Sequence, residues 1–379
     1  MRQLFAPAPI KQRAGWGAFL IPIARPQLGL EEETAVLEVM RSGALAQGAR
    51  VKAFEDAFAE TMGAQFAIAT CNGTTALFLA LVAHGVGRGD EVITSPLTFI
   101  ASANAIAQTG AHPVLADIDD SLNLDPEAVA ELIGPRTKAI MPVHLYGNPS
   151  DMHAFARLAE KHGLALIQDA CQAVGAAIGG APLGMFGTAA YSLYATKNIT
   201  TGEGGMIITN DPRIAKSCAS LRHQAYSDKP YVHEAIGYNY RMTEMQAAIG
   251  VVQLTRLEAI TERRRSNACF YDRAITNERF VRPSVNGDNR HVYHQYTLRA
   301  PSDGSICRDE VRTRLEQAGV GTGVYYPVPV HKQPAYSRHE NSPCPRAELA
   351  AAEIFSIPVH PGVSDDDRAA VAEAVNALN

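Results

Sequence analysis

Short apolar runs alternate with amphipathic helical patterns from about residue 30 to residue 250. The apolar runs predict seven strands, several of which are apolar on both faces, as buried strands require. They lie at 66–70, 90–95, 112–118, 137–144, 164–170, 189–194 and 204–211. The helical patterns at 74–85, 99–110 and 152–163 each end in glycine, a common helix stop. This alternation predicts an α/β fold in which helices cover a mostly parallel sheet.

The pattern changes after residue 242. Met242 to about Ala274 predicts one long helix that leads out of the first domain. Beyond it, predicted strands and helices follow one another in a pattern that differs from that of residues 30–250. Strands are expected at 291–300 and 320–328, and helices at 308–319 and 365–378. These elements are typical of a small α+β unit.

A chain of 379 residues is longer than a usual single domain. We therefore expect an irregular N-terminal arm over residues 1–20, a large domain over 21–250 and a smaller C-terminal domain over 251–379. The six cysteines form no C-x-x-C pair, which argues against a zinc site or a disulfide framework and favours a reducing cytoplasm. A net charge of −5 indicates no nucleic-acid partner, and no apolar stretch is long enough for a membrane span.

Asp169 comes after the apolar run 164–167 and should lie at the carboxyl end of a buried strand. Open α/β sheets bind their ligands at that edge, and a carboxylate there needs a cation. An N-cap role, at the start of a helix, explains Asp169 equally well. Gln172 is then the second arm of a capping box. Position alone leaves both interpretations open.

The segment CNGTTALFLA, residues 71–80, places a glycine and two threonines between a strand end and a helix start. Free N–H groups and the helix dipole favour an anion such as phosphate at such a point. An N-cap role explains Thr74 or Thr75 equally well. Phe99 follows another strand end, where a core phenylalanine is the alternative to a ligand contact.

Lys197 follows the predicted strand at 189–194, with Ser192 five residues before it and a glycine-rich loop behind it. A lone lysine usually faces solvent. A lysine, an acid after a strand, an anion-binding helix start and an aromatic ring together fit pyridoxal phosphate. That cofactor needs an amine for a Schiff base, an acid for its ring nitrogen, a phosphate cradle and a flat apolar surface.

Six segments resemble, in order, motifs of the DegT/DnrJ/EryC1/StrS family of pyridoxal-phosphate sugar aminotransferases. They are NGTTALFLAL, TFIASANAI, DACQAVGA, SLYATKNITTGEGG, GYNYRMTEMQAAIG and YYPVPVHKQPAY. The resemblance covers nearly the whole chain from about residue 21. It implies the fold of the aspartate-aminotransferase superfamily, fold type I. That fold has a large domain with a mostly parallel, mixed sheet flanked by helices, and a smaller α+β C-terminal domain.

The resemblance also implies a role for each candidate residue. Lys197 forms the internal aldimine and then moves a proton between substrate and cofactor, while Asp169 pairs with the pyridine nitrogen. The remaining cofactor contacts are Gln172 at the phenolic oxygen, Phe99 on the ring face, and Gly73, Thr74 and Ser192 at the phosphate.

Asn239 in GYNYRM matches an asparagine that reaches the cofactor phosphate of the other subunit, which implies a homodimer with shared active sites. A turn that favours asparagine is the alternative. Arg241 is expected at the interface or at a substrate phosphate, and Tyr325 and His331 on the substrate side. A loop histidine, however, needs no catalytic role.

The sequence departs from the family pattern at three places, and one of them bears on the substrate. Residues 1–20 have no counterpart, and Cys71–Asn72 replaces a more usual Ser-Ser or Ser-Asn, which we expect to be neutral. In segment 221–234, His223 and Gln224 stand where asparagine and histidine are usual. Because that loop borders the substrate entrance in the family, the sugar and the position aminated stay open.

The sequence thus predicts a cytoplasmic, homodimeric transaminase. It would move an amino group from L-glutamate to a nucleotide-activated 4-keto-6-deoxy or 3-keto sugar, by ping-pong kinetics through the Lys197 aldimine. One alternative is a transaminase for a cyclitol or another natural-product ketone. Another is a non-enzymatic regulator or sensor on the same fold, although the charge of −5 argues against DNA binding.

Overall fold

A computed structural model describes residues 21–227, 229, 231–300, 306–336 and 343–378. The predicted N-terminal arm, residues 1–20, lies outside the described residues. The helices are α1 (Leu30–Ser42), α2 (Ala49–Thr61), α3 (Gly73–Ala83), α4 (Ala101–Gln108), α5 (Pro126–Leu132), α6 (Met152–His162), α7 (Pro212–Arg222), α8 (Glu244–Thr255), α9 (Leu257–Ala274), α10 (Arg308–Gln317), α11 (Pro345–Glu353) and α12 (Asp365–Asn376). The strands are β1 (Phe66–Thr70), β2 (Glu91–Thr94), β3 (His112–Leu115), β4 (Thr137–Met141), β5 (Ala165–Asp169), β6 (Ala177–Ile178), β7 (Ala181–Pro182), β8 (Thr188–Ser192), β9 (Gly205–Thr209), β10 (Tyr296–Arg299) and β11 (Ile354–Ile357).

Seven strands form one sheet in the order β1-β9-β8-β5-β4-β2-β3. Strand β9 is antiparallel to both of its neighbours, and the other neighbouring pairs are parallel. The predicted mostly parallel, mixed sheet is confirmed, and each of its seven predicted strands overlaps an observed one. Because β1, β5 and β8 run in the same direction, their carboxyl ends meet at one edge of the sheet.

The two faces of the sheet bury separate apolar clusters. On β8, Tyr191 packs into the cluster that contains Phe58, with ring centroids 5.3 Å apart. Its neighbour Ala190 packs into the opposite cluster with Leu79 of α3. Helix α3 is apolar around much of its circumference because it lies in the core. Burial on both faces explains why these strands are continuous apolar runs in the sequence.

The long helix predicted from Met242 to Ala274 is wrong, because the chain turns at Arg256 between α8 and α9. The two helices have different partners: α8 packs on α1 and α2, whereas α9 packs on α12. Arg256 itself pairs with Glu32 of α1 at 3.0 Å. The boundary between residues 250 and 251 falls within α8, and the division into two domains stays a prediction.

The C-terminal part contains the antiparallel pair β10–β11, and Tyr296 and Phe355 pack there with Tyr271 of α9. The strand predicted at 320–328 is wrong: it contains only isolated bridges, such as that from Gly323 to Ser356. Prolines 327 and 329 lack the N–H that a strand ladder needs. Strand β10 is shorter than predicted, and β11 was not predicted. Within the described ranges, no helix has the length and apolarity that crossing a membrane requires.

Candidate active site

A cavity of about 700 Å³ opens at the sheet edge where β5 and β8 end. Its wall comes from the segments that follow β1, β2, β4, β5 and β8, together with residues 294–295 and 325–326. Eight predicted residues line it: Gly73, Thr74, Phe99, Asp169, Gln172, Ser192, Lys197 and Tyr325. The fold therefore brings together residues as distant in the chain as Gly73 and Tyr325.

Asp169 is the last residue of β5 and is buried at the cavity wall. The Ser102 hydroxyl donates to its Oδ2 at 2.7 Å, and the backbone N–H of Cys171 donates to Oδ1 at 3.1 Å. Residues 170–176 form turns and no helix, so the N-cap interpretation of Asp169 is wrong. The carboxylate is instead held in a fixed orientation beside the cavity.

Gln172 bridges the cavity wall to a more distant loop. Its Oε1 accepts from the backbone N–H of Tyr146 at 2.7 Å, and its Nε2 donates to the Tyr326 hydroxyl at 3.2 Å. A capping-box role is excluded because no helix starts at residue 170. The Tyr326 ring lies 5.7 Å from that of Phe99, which is 53% exposed. Phe99 is thus an aromatic surface in the cavity and no core residue.

At the start of α3, backbone N–H groups are available to bind a ligand. Asn72 is the N-cap, and its Oδ1 accepts from Thr75 N at 2.9 Å. Thr74 is therefore not the cap and lines the cavity. A Cβ at Gly73 would lie 2.8 Å from the Ser192 Cβ and 2.9 Å from the Cys171 Sγ. Only glycine fits this close approach, and the N–H groups of the first helical turn have no partner within the helix.

Lys197 lies on the same wall as Asp169 and is partly buried. Burial lowers the pKa of its amine, while the nearby Cys171 and Asp169 act in the opposite direction. A lowered pKa increases the fraction of neutral, nucleophilic amine at neutral pH. Burial also raises the pKa of the Cys171 thiol well above its ordinary value, so that this thiol stays protonated.

Three predicted residues do not line this cavity: Asn239, Arg241 and His331. Asn239 is exposed and forms a backbone bridge with His223, whose Nδ1 lies 2.6 Å from Nη1 of Arg241. The His331 ring contacts Glu348 of α11 at 2.9 Å. A role for Asn239 across a subunit interface stays a prediction.

Sequence reasoning missed further residues of the cavity, among them Ser102, Tyr326 and His294. Ser102 lies within the quoted segment TFIASANAI and Tyr326 directly follows Tyr325, so both were close to a recognised motif. No motif or pattern in the sequence marked His294 as a site residue. Among the residues that the structure describes, no cluster of three or more His, Cys, Asp or Glu side chains is arranged to hold a metal ion.

The donor set of the cavity fits pyridoxal phosphate. Glycine at position 73 keeps the helix start open for an anion, and Ser192 lies against it. Asp169 supplies a buried, oriented carboxylate and Lys197 an amine whose pKa is lowered. Phe99 supplies an exposed aromatic face.

Residues 26–376 match the model of the DegT/DnrJ/EryC1/StrS aminotransferase family. The chain is 44% identical over 347 residues to the pleiotropic regulatory protein of Geobacillus stearothermophilus, with 89% of this chain and 91% of the relative covered. It is 41% identical to the GDP-perosamine synthase of Caulobacter vibrioides, with 92% and 95% covered.

Among solved structures, the chain is similar to S. venezuelae DesV in complex with a ketimine intermediate. The two chains are 38% identical, the TM-score is 0.87, and 91% of this chain and 93% of DesV are covered. That similarity covers most of the chain and confirms the predicted fold class.

Proposed function

The chain belongs to the DegT/DnrJ/EryC1/StrS aminotransferase family, and we propose that it transfers an amino group from L-glutamate to a keto group of a nucleotide-activated sugar. The observation that carries this proposal is the placement of Lys197 and Asp169 on one cavity wall, beside the open helix start at Gly73. The 41% identity to a GDP-perosamine synthase supports a nucleotide sugar as the acceptor. A 4-keto-6-deoxy or 3-keto hexose is the acceptor we propose.

Pyridoxal phosphate supplies an aldehyde for the amino group and a ring that accepts electrons. In our proposal Lys197 binds it covalently, and the Asp169 carboxylate keeps its ring nitrogen protonated. Gln172 donates a hydrogen bond to the phenolic oxygen through Nε2, which now lies 3.2 Å from the Tyr326 hydroxyl. The phosphate would be bound by Gly73 and Thr74 at the start of α3, with the Ser192 hydroxyl.

Lys197 would carry the proton in both half-reactions, because it is the only amine among the described residues that line the cavity. Burial favours its neutral form, which accepts a proton from the substrate carbon. Glutamate would leave as 2-oxoglutarate before the keto sugar enters, so that the kinetics are ping-pong. The same amine then returns the proton to the sugar carbon.

A homodimer with shared active sites is part of the proposal. Asn239 is exposed beside a segment with large apolar side chains on its surface. Tyr231 is 85% exposed, Ile236 84% and Val232 47%. Apolar patches of this kind are typical of contacts between subunits, and they support an Asn239 that reaches a partner's cavity.

The first experiment tests the cofactor and its lysine. The purified chain, incubated with pyridoxal phosphate, should show a visible absorption band that borohydride fixes covalently to Lys197. Lys197→Ala should lack that band, whereas Lys161→Ala, which changes an exposed lysine at the end of α6, should keep it. A chain that cannot be loaded would refute the enzymatic proposal.

The second experiment identifies the acceptor. The loaded enzyme is given L-glutamate with one candidate ketone at a time, and 2-oxoglutarate formation beyond a single turnover is measured. We expect sustained turnover with a nucleotide-linked keto sugar and parallel double-reciprocal plots. Turnover with a cyclitol ketone alone would favour the alternative transaminase.

A further inference from the structure

His294 lines the cavity, yet none of the roles above uses it. Its side chain is buried, with 7% of the residue exposed. Its Nδ1 is fully buried and has no hydrogen-bond partner within the described part of the chain. Buried polar atoms are nearly always paired, so an unpaired ring nitrogen at a cavity wall calls for an explanation.

The backbone that carries His294 is held in an unusual conformation. Tyr293 has a φ of +44°, in the left-handed region that non-glycine residues rarely adopt. The Tyr293 N–H donates to Nδ1 of His291 at 2.9 Å, and the two rings stack with centroids 3.9 Å apart. Arg264 of α9 donates through Nη1 to the carbonyl oxygens of Tyr293 and His294, at 3.0 and 3.3 Å. Strain of this kind is often retained at functional positions.

Burial and the positive side chains of Lys197 and Arg264 act on the pKa of His294 in the same direction. Burial lowers its pKa well below the ordinary value, and Lys197, Arg264 and His291 lower it further. Arg264 forms no ion pair with a carboxylate in the described ranges. His294 therefore stays neutral at physiological pH, and a neutral imidazole offers one nitrogen as an acceptor.

The acceptor nitrogen of the neutral His294 ring needs a hydrogen-bond donor in the cavity. Among the described residues that line the cavity, Lys197 is the only cationic side chain. The Asp169 carboxylate, whose charge raises the pKa of Lys197, already accepts from the Ser102 hydroxyl and the Cys171 N–H.

We propose that His294 is a positioning residue for Lys197, whose amine donates a hydrogen bond to the His294 imidazole while it is not bonded to the cofactor. The bond holds Nζ toward the cavity in the intervals when Lys197 is free. This inference rests on the proposed function, because it requires Lys197 to be the amine that takes up pyridoxal phosphate. Arg264 contributes indirectly, by fixing the backbone turn at residues 293–294.

The test uses the full-length chain without cofactor, mixed with pyridoxal phosphate at a series of pH values. The rate at which the visible band forms is measured for the wild type, His294→Leu and His294→Gln. We expect the rate at high pH to fall roughly ten-fold in His294→Leu, the effect of losing one net hydrogen bond.

The same variant should also change the pH dependence. An acceptor bonded to the ammonium form raises the pKa of an amine. The midpoint of the profile should therefore move to lower pH by roughly one unit. His294→Gln, which keeps an acceptor, should retain a midpoint near that of the wild type.

Matched changes at His84 provide the control. His84 is also neutral and partly buried, but it contacts Thr188 at 2.9 Å and does not line the cavity. His84→Leu and His84→Gln should leave rate and midpoint unchanged. A wild-type rate and midpoint in His294→Leu would overturn the inference, and so would equal defects in His294→Leu and His294→Gln, since these indicate a steric role. If the wild type itself forms no band, the proposed function fails and this inference fails with it.

Discussion

Replacing Gly73 by alanine tests the open helix start on which the phosphate site depends. The new Cβ would lie 2.8 Å from the Ser192 Cβ, 2.9 Å from the Cys171 Sγ and 3.2 Å from the Ser192 Cα. Carbon atoms pack best at about 3.5 to 4.0 Å, so the overlap with Ser192 is about 1 Å. Overpacking of this size typically costs about 1 to 3 kcal/mol, and the better helix propensity of alanine offsets about 1 kcal/mol of that.

The larger effect should be on cofactor binding. Relieving the overlap requires Ser192 and the start of α3 to move apart, so that the two would no longer contact one phosphate together. A hydrogen bond to a charged group contributes about 1.5 to 3 kcal/mol, and losing one such bond weakens binding by roughly 10- to 100-fold. We expect this loss in pyridoxal phosphate titrations followed by absorbance, with urea unfolding of the cofactor-free protein measured in parallel.

Gly134→Ala is the matched control, because a Cβ there has no heavy atom within 4 Å and the φ of Gly134 is not positive. It should leave the affinity for the cofactor unchanged and should not destabilise the protein. If Gly73→Ala bound pyridoxal phosphate as tightly as the wild type, the phosphate would not be held at this helix start. The assignment of Thr74 and Ser192 as phosphate ligands would then be wrong as well.

Three further predictions concern stability, each measured by urea unfolding. Glu55→Gln should cost about 3 to 5 kcal/mol, because it leaves the buried Arg222 without its partner carboxylate. Ser102→Ala should cost about 1 to 3 kcal/mol, since Asp169 loses a buried donor at 2.7 Å. An unchanged free energy of unfolding would contradict either argument. Burial lowers the pKa of His144 to about 4, so the unfolded chain binds more protons between about pH 6.5 and 4. His144 alone should therefore contribute a loss of stability of about 1 kcal/mol per pH unit as the pH is lowered over that range, and His144→Gln should reduce the measured slope by that amount, while other buried histidines such as His360 keep theirs.

The strands of the sheet could be predicted because burial on both faces imposes continuous apolar runs. Val92 and Ile93 on β2 are both fully buried, although they point to opposite faces. The break at Arg256 was not predictable from periodicity, because helix-forming residues continue on both sides of it and the different packing partners of α8 and α9 appear only in the structure. Likewise, β11 acquires its strand conformation by pairing with the distant β10.

The site shows the same division between local and distant causes. Asp169 and Lys197 were found because each follows a recognisable strand. Whether Asp169 capped a helix depended on the turns at 170–176, which the sequence left open. His294 could not be found from the sequence, because its position depends on a residue 30 positions earlier in the chain. Arg264 donates hydrogen bonds to the carbonyl oxygens of Tyr293 and His294.

The charge of the cavity bears on the proposed dimer. Lys197 is the only cation among the described residues that line it, yet the phosphate of the proposed cofactor and the diphosphate of the proposed nucleotide sugar would bring several negative charges. Phosphate groups are usually bound by cations as well as by N–H groups. Arg241 lies next to the exposed Asn239 segment, outside the cavity of its own subunit. A dimer in which each subunit presents Asn239 and Arg241 to the partner's cavity supplies both a phosphate donor and the missing positive charge. The charge deficit of the single subunit is therefore a further argument for the proposed shared sites, beside the family resemblance from which the roles of Asn239 and Arg241 come.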